Sequence, residues 1–187
     1  MFCLKDWNEN LDLDNFYKEA NRRGFVNNSS QAAMIDCFQN EREWNVWILY
    51  NEDRAIGSVA AHSFDDIIPG GYRILTRVCT FAEERKGAGL ITPKRLIAEH
   101  QNLTDQFLLP KCIEWVAGRG RMFATSNASK EASQRLVHGY YFPTLAKIGI
   151  VSKIKDVHYR HVDQTIWEIH PDAFLENLNR YPRWTNL

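Results

Sequence analysis

Charge of one sign is what this chain most conspicuously lacks. Its 187 residues include 23 basic and 23 acidic side chains, a formal net charge of zero. There is therefore no overall electrostatic footprint for nucleic acid or for an anionic membrane, and any nucleic-acid contact has to be local. Cysteine is scarce as well. Cys3, Cys37, Cys79 and Cys112 lie far apart with no C-x-x-C pair, a pattern that argues against a disulfide frame or a zinc site and predicts reduced core residues of a cytosolic protein. No apolar run approaches the length needed to span a bilayer, and Met1-Phe-Cys-Leu-Lys-Asp6 offers no basic region leading into a long apolar one. These absences predict a soluble, unexported, cytoplasmic protein with no membrane partner. Internal repeats, low-complexity tracts and linkers are absent too, so residues 1–187, 44% hydrophobic, are expected to form a single domain with a substantial core.

What is present alternates between two periodicities. Phe2 to Lys5 reads as a first strand. Leu13, Phe16, Tyr17 and Ala20 recur at helical spacing before Gly24, predicting a helix over 11–23, and Ser29 or Ser30 can cap a second helix with Ala33, Met34, Cys37 and Phe38 on one stripe. The β-rich runs Trp44 to Tyr50 and Ala55 to Phe64 flank the turn-like Asn51-Glu-Asp-Arg54, which predicts a hairpin. A Pro69-Gly-Gly71 turn then delivers a strand from Tyr72 to Phe81. Helices are expected over Thr92 to Gln101 and over Pro110 to Ala117, the second ending at Gly118. A strand over Arg121 to Thr125, a helix from Ser126 or Asn127 through about His138, and strands over Ile150 to Arg160 and Val162 to His170 complete the order.

Between the strand ending at Phe81 and the helix after it lies Glu83-Glu-Arg-Lys-Gly-Ala-Gly89. Glycines there let the backbone turn tightly and aim free N–H groups at one point, where a helix N-terminus adds positive partial charge. Such a place is an anion socket. Its spacing is neither the dinucleotide fingerprint G-x-G-x-x-G nor the P-loop pattern. The loop, with the order of elements around it, resembles the pyrophosphate loop of the GNAT superfamily of acetyl-coenzyme A-dependent N-acetyltransferases. Ser126-Asn-Ala-Ser-Lys-Glu-Ala-Ser-Gln-Arg-Leu-Val-His-Gly-Tyr-Tyr-Phe142 is similar to that family's Asn-led helix closing on a Gly-Phe-type end, with a longer spacing from Asn127 to Phe142. The loop departs from the family in one respect: Glu84 stands where an Arg or Gln is usual, with Arg85 one step later.

The resemblance implies an α/β (α+β) fold, a GNAT-like mixed, centrally splayed β-sheet flanked by helices. It also implies acetyl-CoA as cofactor, with Val78, Cys79 and Thr80 facing the pantetheine arm and Arg85, Lys86, Gly87, Ala88 and Gly89 holding the pyrophosphate. Attack by an amine on a thioester needs an unprotonated nucleophile, a stabilised oxyanion and a proton for the leaving thiolate. By the same resemblance Tyr140 or Tyr141 is placed to supply that proton. His62 and the Asp65-Asp66 pair are candidates for a general base. Each candidate also has a plain structural reading: the tyrosines pack with Phe142, the loop is a turn, and His158-Tyr-Arg-His161 faces two sides of a strand instead of one metal.

Arg73 and Arg77 lie four apart on a strand expected at the centre of the sheet, hence on one face, where a buried guanidinium needs an acid such as Glu114 or Glu168, or an anionic ligand. Leu75-Thr-Arg-Val78 resembles the Leu-Ser-Arg-Leu element of the phage Mom proteins, GNAT-like enzymes that modify adenine in DNA, and Ala124-Thr-Ser-Asn127 falls where that family has a Tyr-Ala-Asp element. That resemblance implies a viral origin, a host-cytoplasmic location and a DNA partner. Three readings follow: an N-acyltransferase acting on a small-molecule or protein amine, a Mom-like DNA-base modifying transferase, and a GNAT-shaped binding module without catalysis. In the two enzyme readings Arg77, Ser126 and Asn127 line the reactive end of the cleft. No metal site is expected, and the acceptor and oligomeric state are left open.

Overall fold

The computed structural model describes residues 2–7, 41–52, 54–78, 107–127, 137–159 and 161–177. The expected helices over 11–23, from Ser29 or Ser30, and over Thr92 to Gln101 lie outside the described residues, as does the glycine loop. Seven strands form one sheet in the order β1-β2-β3-β4-β5-β7-β6. They are β1 (Phe2–Asp6), β2 (Trp44–Asn51), β3 (Arg54–Ser63), β4 (Gly71–Val78), β5 (Arg121–Ser126), β6 (Val151–Tyr159) and β7 (Val162–Ile169). The described helices are α1 (Leu109–Val116), a π-helical turn at Val137–Tyr141 that runs into α2 (Phe142–Lys147), and α3 (Pro171–Asn177). This is the mixed α+β architecture expected from the sequence.

The chain divides into two compact units. The first, comprising Met1–His62, Thr76–Cys112 and Pro182–Leu187, holds the β1-β2-β3 meander. In β2, Val46 to Leu49 are fully buried or nearly so whatever their parity, so both faces of this strand are covered. Asn51 pairs with Arg54 across a two-residue turn in which Glu52 is left-handed, with φ 57°, as a tight hairpin requires. Strand β1 stands at the edge of the described sheet beside β2, with Cys3, Lys5 and Asp6 exposed and Leu4 half-buried. Cys3 and Lys5 face outward there, which corrects the expectation that every cysteine is a core residue, whereas Cys112 is buried and burial raises its thiol pKa.

The second unit, Ser63–Leu75 with Ile113–Tyr181, carries β5, β7, β6 and the first half of β4. The Pro69-Gly-Gly turn forms as expected. Gly70 is left-handed with φ 72°, its N–H donates to Asp65 Oδ1 at 2.7 Å, and Phe64 N–H donates to Gly71 O at 2.8 Å. Asp65 therefore serves as the clasp of this turn. Helix α1 stops at the expected place: Gly118 has φ 75°, and Arg119 N–H caps Val116 O at 2.9 Å. Its Trp115 meets Tyr72 of β4 edge to face at 5.6 Å. On the opposite face of the sheet, Phe64, Phe123 and Ile166 form a core against Ile67, Ile68, Val157 and Tyr159.

Two elements depart from the sequence reading. The helical run near His138 does not end at Gly139 but continues through Lys147. Pro143 explains its form: a proline cannot donate to the carbonyl four residues back and its ring clashes with it, and the wider π turn over Val137–Tyr141 removes that demand. The segment after β7 contains α3, which starts at Pro171 and buries Phe174.

Glu168 of β7 binds Arg121 of β5 through both carboxylate oxygens at 2.6 Å. This hydrogen bonding holds the Glu168 carboxyl below its ordinary value, against a smaller opposing effect of partial burial. A lowered folded-state pKa contributes stability that is present above the unfolded pKa and lost as pH falls through the folded one. Glu168→Gln should therefore melt slightly below the parent at neutral pH, and the gap should close on acidification below about pH 4. Melting curves of both proteins between neutral and acid pH check this. A gap that stays constant would show that the pair contributes nothing through ionisation.

Candidate functional site

Strands β4 and β5 run parallel, yet their described ladder contains three pairs, Gly71 with Arg121, Tyr72 with Met122 and Arg73 with Phe123. Ile74 and Ala124, next in line, are not partners, although β4 continues to Val78 and β5 to Ser126. On its other side β5 stays paired with β7 over its last five residues, from Met122 with Ile169 to Ser126 with Thr165. Among the described residues, then, no β4 partner is found for the backbone groups of β5 beyond Phe123. Peptide groups of this kind need partners. An extended ligand with amide groups of its own is the natural guest for such an edge.

Along β5, side chains alternate between the two faces. Phe123 and Thr125 share a face with Arg73. The Arg73 guanidinium is buried, donates to Thr125 Oγ1 from Nε at 3.2 Å and from Nη2 at 2.8 Å, and lies 5.3 Å from the Tyr159 ring centroid and 6.0 Å from that of Phe64. A hydroxyl and two ring faces thus help carry this buried cation. Glu168, one of the two acids suggested for it, is instead engaged by Arg121. The backbone of Arg77 and Val78 belongs to β4, but their side chains lie outside the described residues, as do Cys79, Thr80 and the whole of 85–89.

The other face carries Met122, Ala124 and Ser126, and here the site acquires its polar groups. Ser126, at the end of β5, is 3% exposed. Its Oγ accepts a hydrogen bond from Trp167 Nε1 at 2.8 Å and lies 3.0 Å from His138 Nδ1. Across the strands the row continues, since Ser126 pairs with Thr165 and Thr165 with Asp156. Thr165 Oγ1 donates to Asp156 Oδ1 at 2.6 Å, and Lys153 Nζ reaches Asp156 Oδ2 at 2.8 Å. The Asp156 carboxyl sits below its ordinary value chiefly because of the Lys153 and Thr165 hydrogen bonds, with His138 adding a weaker electrostatic effect. Phe142 stacks on Trp167 with ring centroids 5.2 Å apart and planes 7° from parallel, which fixes the indole that serves Ser126.

Of the tyrosines on the helical turn, Tyr141 is buried and meets Phe142 at 65° and 5.4 Å, while the side chain of Tyr140 lies outside the described residues. Asn127 follows β5 and is half-buried. His62 is fully buried in the first unit, with Nδ1 3.5 Å from the Glu41 carboxylate. His158 bonds Asp163 at 2.9 Å on the surface, and His161 occupies the turn after it with φ 66°. Among the described residues no three His, Cys, Asp or Glu side chains are grouped to hold a metal, and no described helix is long and apolar enough to cross a membrane. The sequence reading singled out Ser126 but passed over His138, Asp156 and Trp167 as site residues. A signal existed in the alternation of Arg121-Met-Phe-Ala-Thr-Ser126, which puts a hydroxyl at the end of an otherwise apolar face.

No protein-family model matches this sequence, and a search of curated proteins finds no match. Solved structures do share its fold. The chain is similar to an aminoglycoside acetyltransferase, AAC(6')-Ib, in complex with coenzyme A and kanamycin, with 12% identity, TM-score 0.55, and 94% of this chain and 98% of that one covered. A Desulfovibrio desulfuricans protein assigned to the GNAT family of acetyltransferases is similar over 91% of this chain and 99% of that one, with 12% identity and TM-score 0.56. A single-site variant of the spermidine N-acetyltransferase SpeG from Vibrio cholerae follows at 10% identity, TM-score 0.53, and 94% and 97% coverage. The chain therefore has the GNAT fold, reached with a sequence far from these proteins.

Proposed function

We propose that this chain is an N-acetyltransferase that moves the acetyl group of acetyl-CoA to a primary amine of a small molecule, with residues 1–187 as one catalytic domain. The observation that carries the reading is the parallel β4–β5 ladder, whose described pairs end at Arg73 with Phe123, with Ser126 further on at the end of β5. The pantetheine arm, an extended chain with two amides, would bond the strand edges beyond that last pair. In this reading Val78, Cys79 and Thr80 face the arm, and the N–H groups of Arg85 to Gly89 hold the pyrophosphate. Arg77, Ser126 and Asn127 line the reactive end, and Tyr140 or Tyr141 returns a proton to the leaving thiolate.

Small amines are favoured as acceptors because proteins of the same fold are named for spermidine and for aminoglycosides. Net charge zero gives no general attraction to nucleic acid, and no specific observation supports the Mom-like reading. A bound cofactor stabilises the folded state by mass action, so acetyl-CoA at about a hundred times its Kd should add roughly 2.7 kcal/mol. For a chain of this size that is a rise in melting temperature of about 5–11 °C. A melt that acetyl-CoA leaves unmoved at millimolar concentration would remove the cofactor, and with it the activity.

A further inference from the structure

We infer that Ser126 and His138 form a proton relay that converts a protonated substrate amine into the nucleophile. This rests on the acetyltransferase reading and adds the base that the sequence does not declare. The valence of one oxygen sets what the pair can do. A hydroxyl has one proton and two lone pairs, and an indole N–H can only donate. Trp167 therefore takes one lone pair of Ser126 Oγ, at 2.8 Å. The hydroxyl proton can go to Nδ1 of neutral His138, 3.0 Å away. Among the described residues nothing takes the other lone pair, at the end of β5 beyond the last described β4–β5 pair.

An alkylammonium donating to that lone pair completes the chain. Its proton passes to Oγ as the hydroxyl proton passes to Nδ1, leaving a neutral amine and an imidazolium, with the Ser126–His138 hydrogen bond reversed in direction. The amine then attacks the thioester carbonyl: the C–N bond forms, the C–S bond breaks, and the thiolate takes the second proton lost by nitrogen. His138 is half-buried, so its imidazolium can return the first proton to solvent. The net products are the acetamide, the free thiol and one proton.

Groups from three strands stand around the pair. From β6 comes Asp156, whose carboxyl is held low chiefly by its hydrogen bonds with Lys153 and Thr165 and, more weakly, by His138. From β5 and β7 come Ser126, Thr165 and Trp167, none of which titrates in the working range. Tyr141 lies on the same helical run, packed on Phe142. The stacking of Phe142 on Trp167 holds the hydrogen-bond donor that orients Ser126. Ser126 is thus the catalytic residue of the pair, and His138 acts through it.

The test compares His138→Gln with the parent, using acetyl-CoA with an alkylamine and, separately, with a weakly basic arylamine that is neutral at the assay pH. Glutamine can still accept the Ser126 hydrogen bond but cannot hold its proton. The expected result is a kcat/KM loss of about 10²-fold for the alkylamine, a much smaller loss for the arylamine, and a shift of the alkylamine pH profile toward the higher pH at which the free amine itself forms, with KM for acetyl-CoA and the melting temperature preserved. Ser126→Ala, which also deprives Trp167 of its acceptor, should lose the alkylamine selectively if it folds, and Ser126→Thr should restore part of it. Equal losses for both amines, or an alkylamine pH profile that does not shift in His138→Gln, would overturn the relay while leaving the acetyltransferase standing. A parent protein that binds no acetyl-CoA would overturn both.

Discussion

Gly120→Ala is expected to destabilise the protein by roughly 3 kcal/mol, the upper part of the range for forcing atoms into a packed site. A methyl built at Gly120 would fall on the carbonyl oxygen of Gly70 and come within 3.1 Å of the Tyr72 ring. Gly70 cannot retreat cheaply, because Asp65 and the Ile68–Gly71 hydrogen bond clasp its turn. The clash also sits one residue before the first pair of the β4–β5 ladder, Gly71 with Arg121, and only three described pairs hold that ladder. For a chain of this length the melting temperature should fall by about 6–12 °C. Gly118→Ala is the matched control. Gly118 has open space around its position but φ 75°, so alanine there bears only the cost of a left-handed residue, about 1–2 kcal/mol. Melting curves of the two variants decide the matter: if Gly120→Ala melts at or above Gly118→Ala, the close approach of the two turns is not present in solution.

The second large effect falls on the cofactor. Gly87→Asp with Gly89→Asp should abolish the rise in melting temperature that acetyl-CoA produces, and acetyl transfer with it, while the protein without cofactor melts close to the parent. A carboxylate at either position repels a pyrophosphate and deprives the backbone of its freedom to approach it. Calorimetric titration of parent and double variant with coenzyme A measures this. Equal heats from both would remove 85–89 from the cofactor site.

How much of this was legible in the sequence depends on the range of the interactions involved. Local signals served well. The Asn51 to Arg54 turn, the Pro69-Gly-Gly71 turn, the stop of α1 at Gly118 and the strands from β1 to β7 are written in short-range turn chemistry and β-propensity, and the structure has them within a residue or two, except that the expected end of β4 at Phe81 lies outside the described residues. The end of the helix beyond His138 was not legible. Gly139 and Pro143 both signal a stop, and the run survives them because Phe142 and Leu145 bury themselves and the turn ahead of Pro143 widens. Tertiary burial outweighed a local signal there.

The candidate site divides in the same way. Ser126 could be found from its place at a strand end. Its bond to His138 spans 12 residues and its bond to Trp167 spans 41, and nothing in a linear pattern announces either. Arg73 illustrates the reverse case. The sequence marks it as a buried cation that needs partners, and Thr125 and the rings of Phe64 and Tyr159 reach it from three other segments, while the carboxylate of Glu168 binds Arg121.

One experiment bears on the central claim without intermediaries. Purified protein, acetyl-CoA and a panel of small primary amines, polyamines and aminoglycosides included, are incubated together, and free thiol and acetylated amine are quantified in the same samples, the second by mass spectrometry. The account predicts that at least one amine accumulates its monoacetylated form in equal amount to the coenzyme A released, and that Ser126→Ala sharply reduces both. Thiol release without any acetylated amine, or no release from a protein that binds acetyl-CoA, would contradict it.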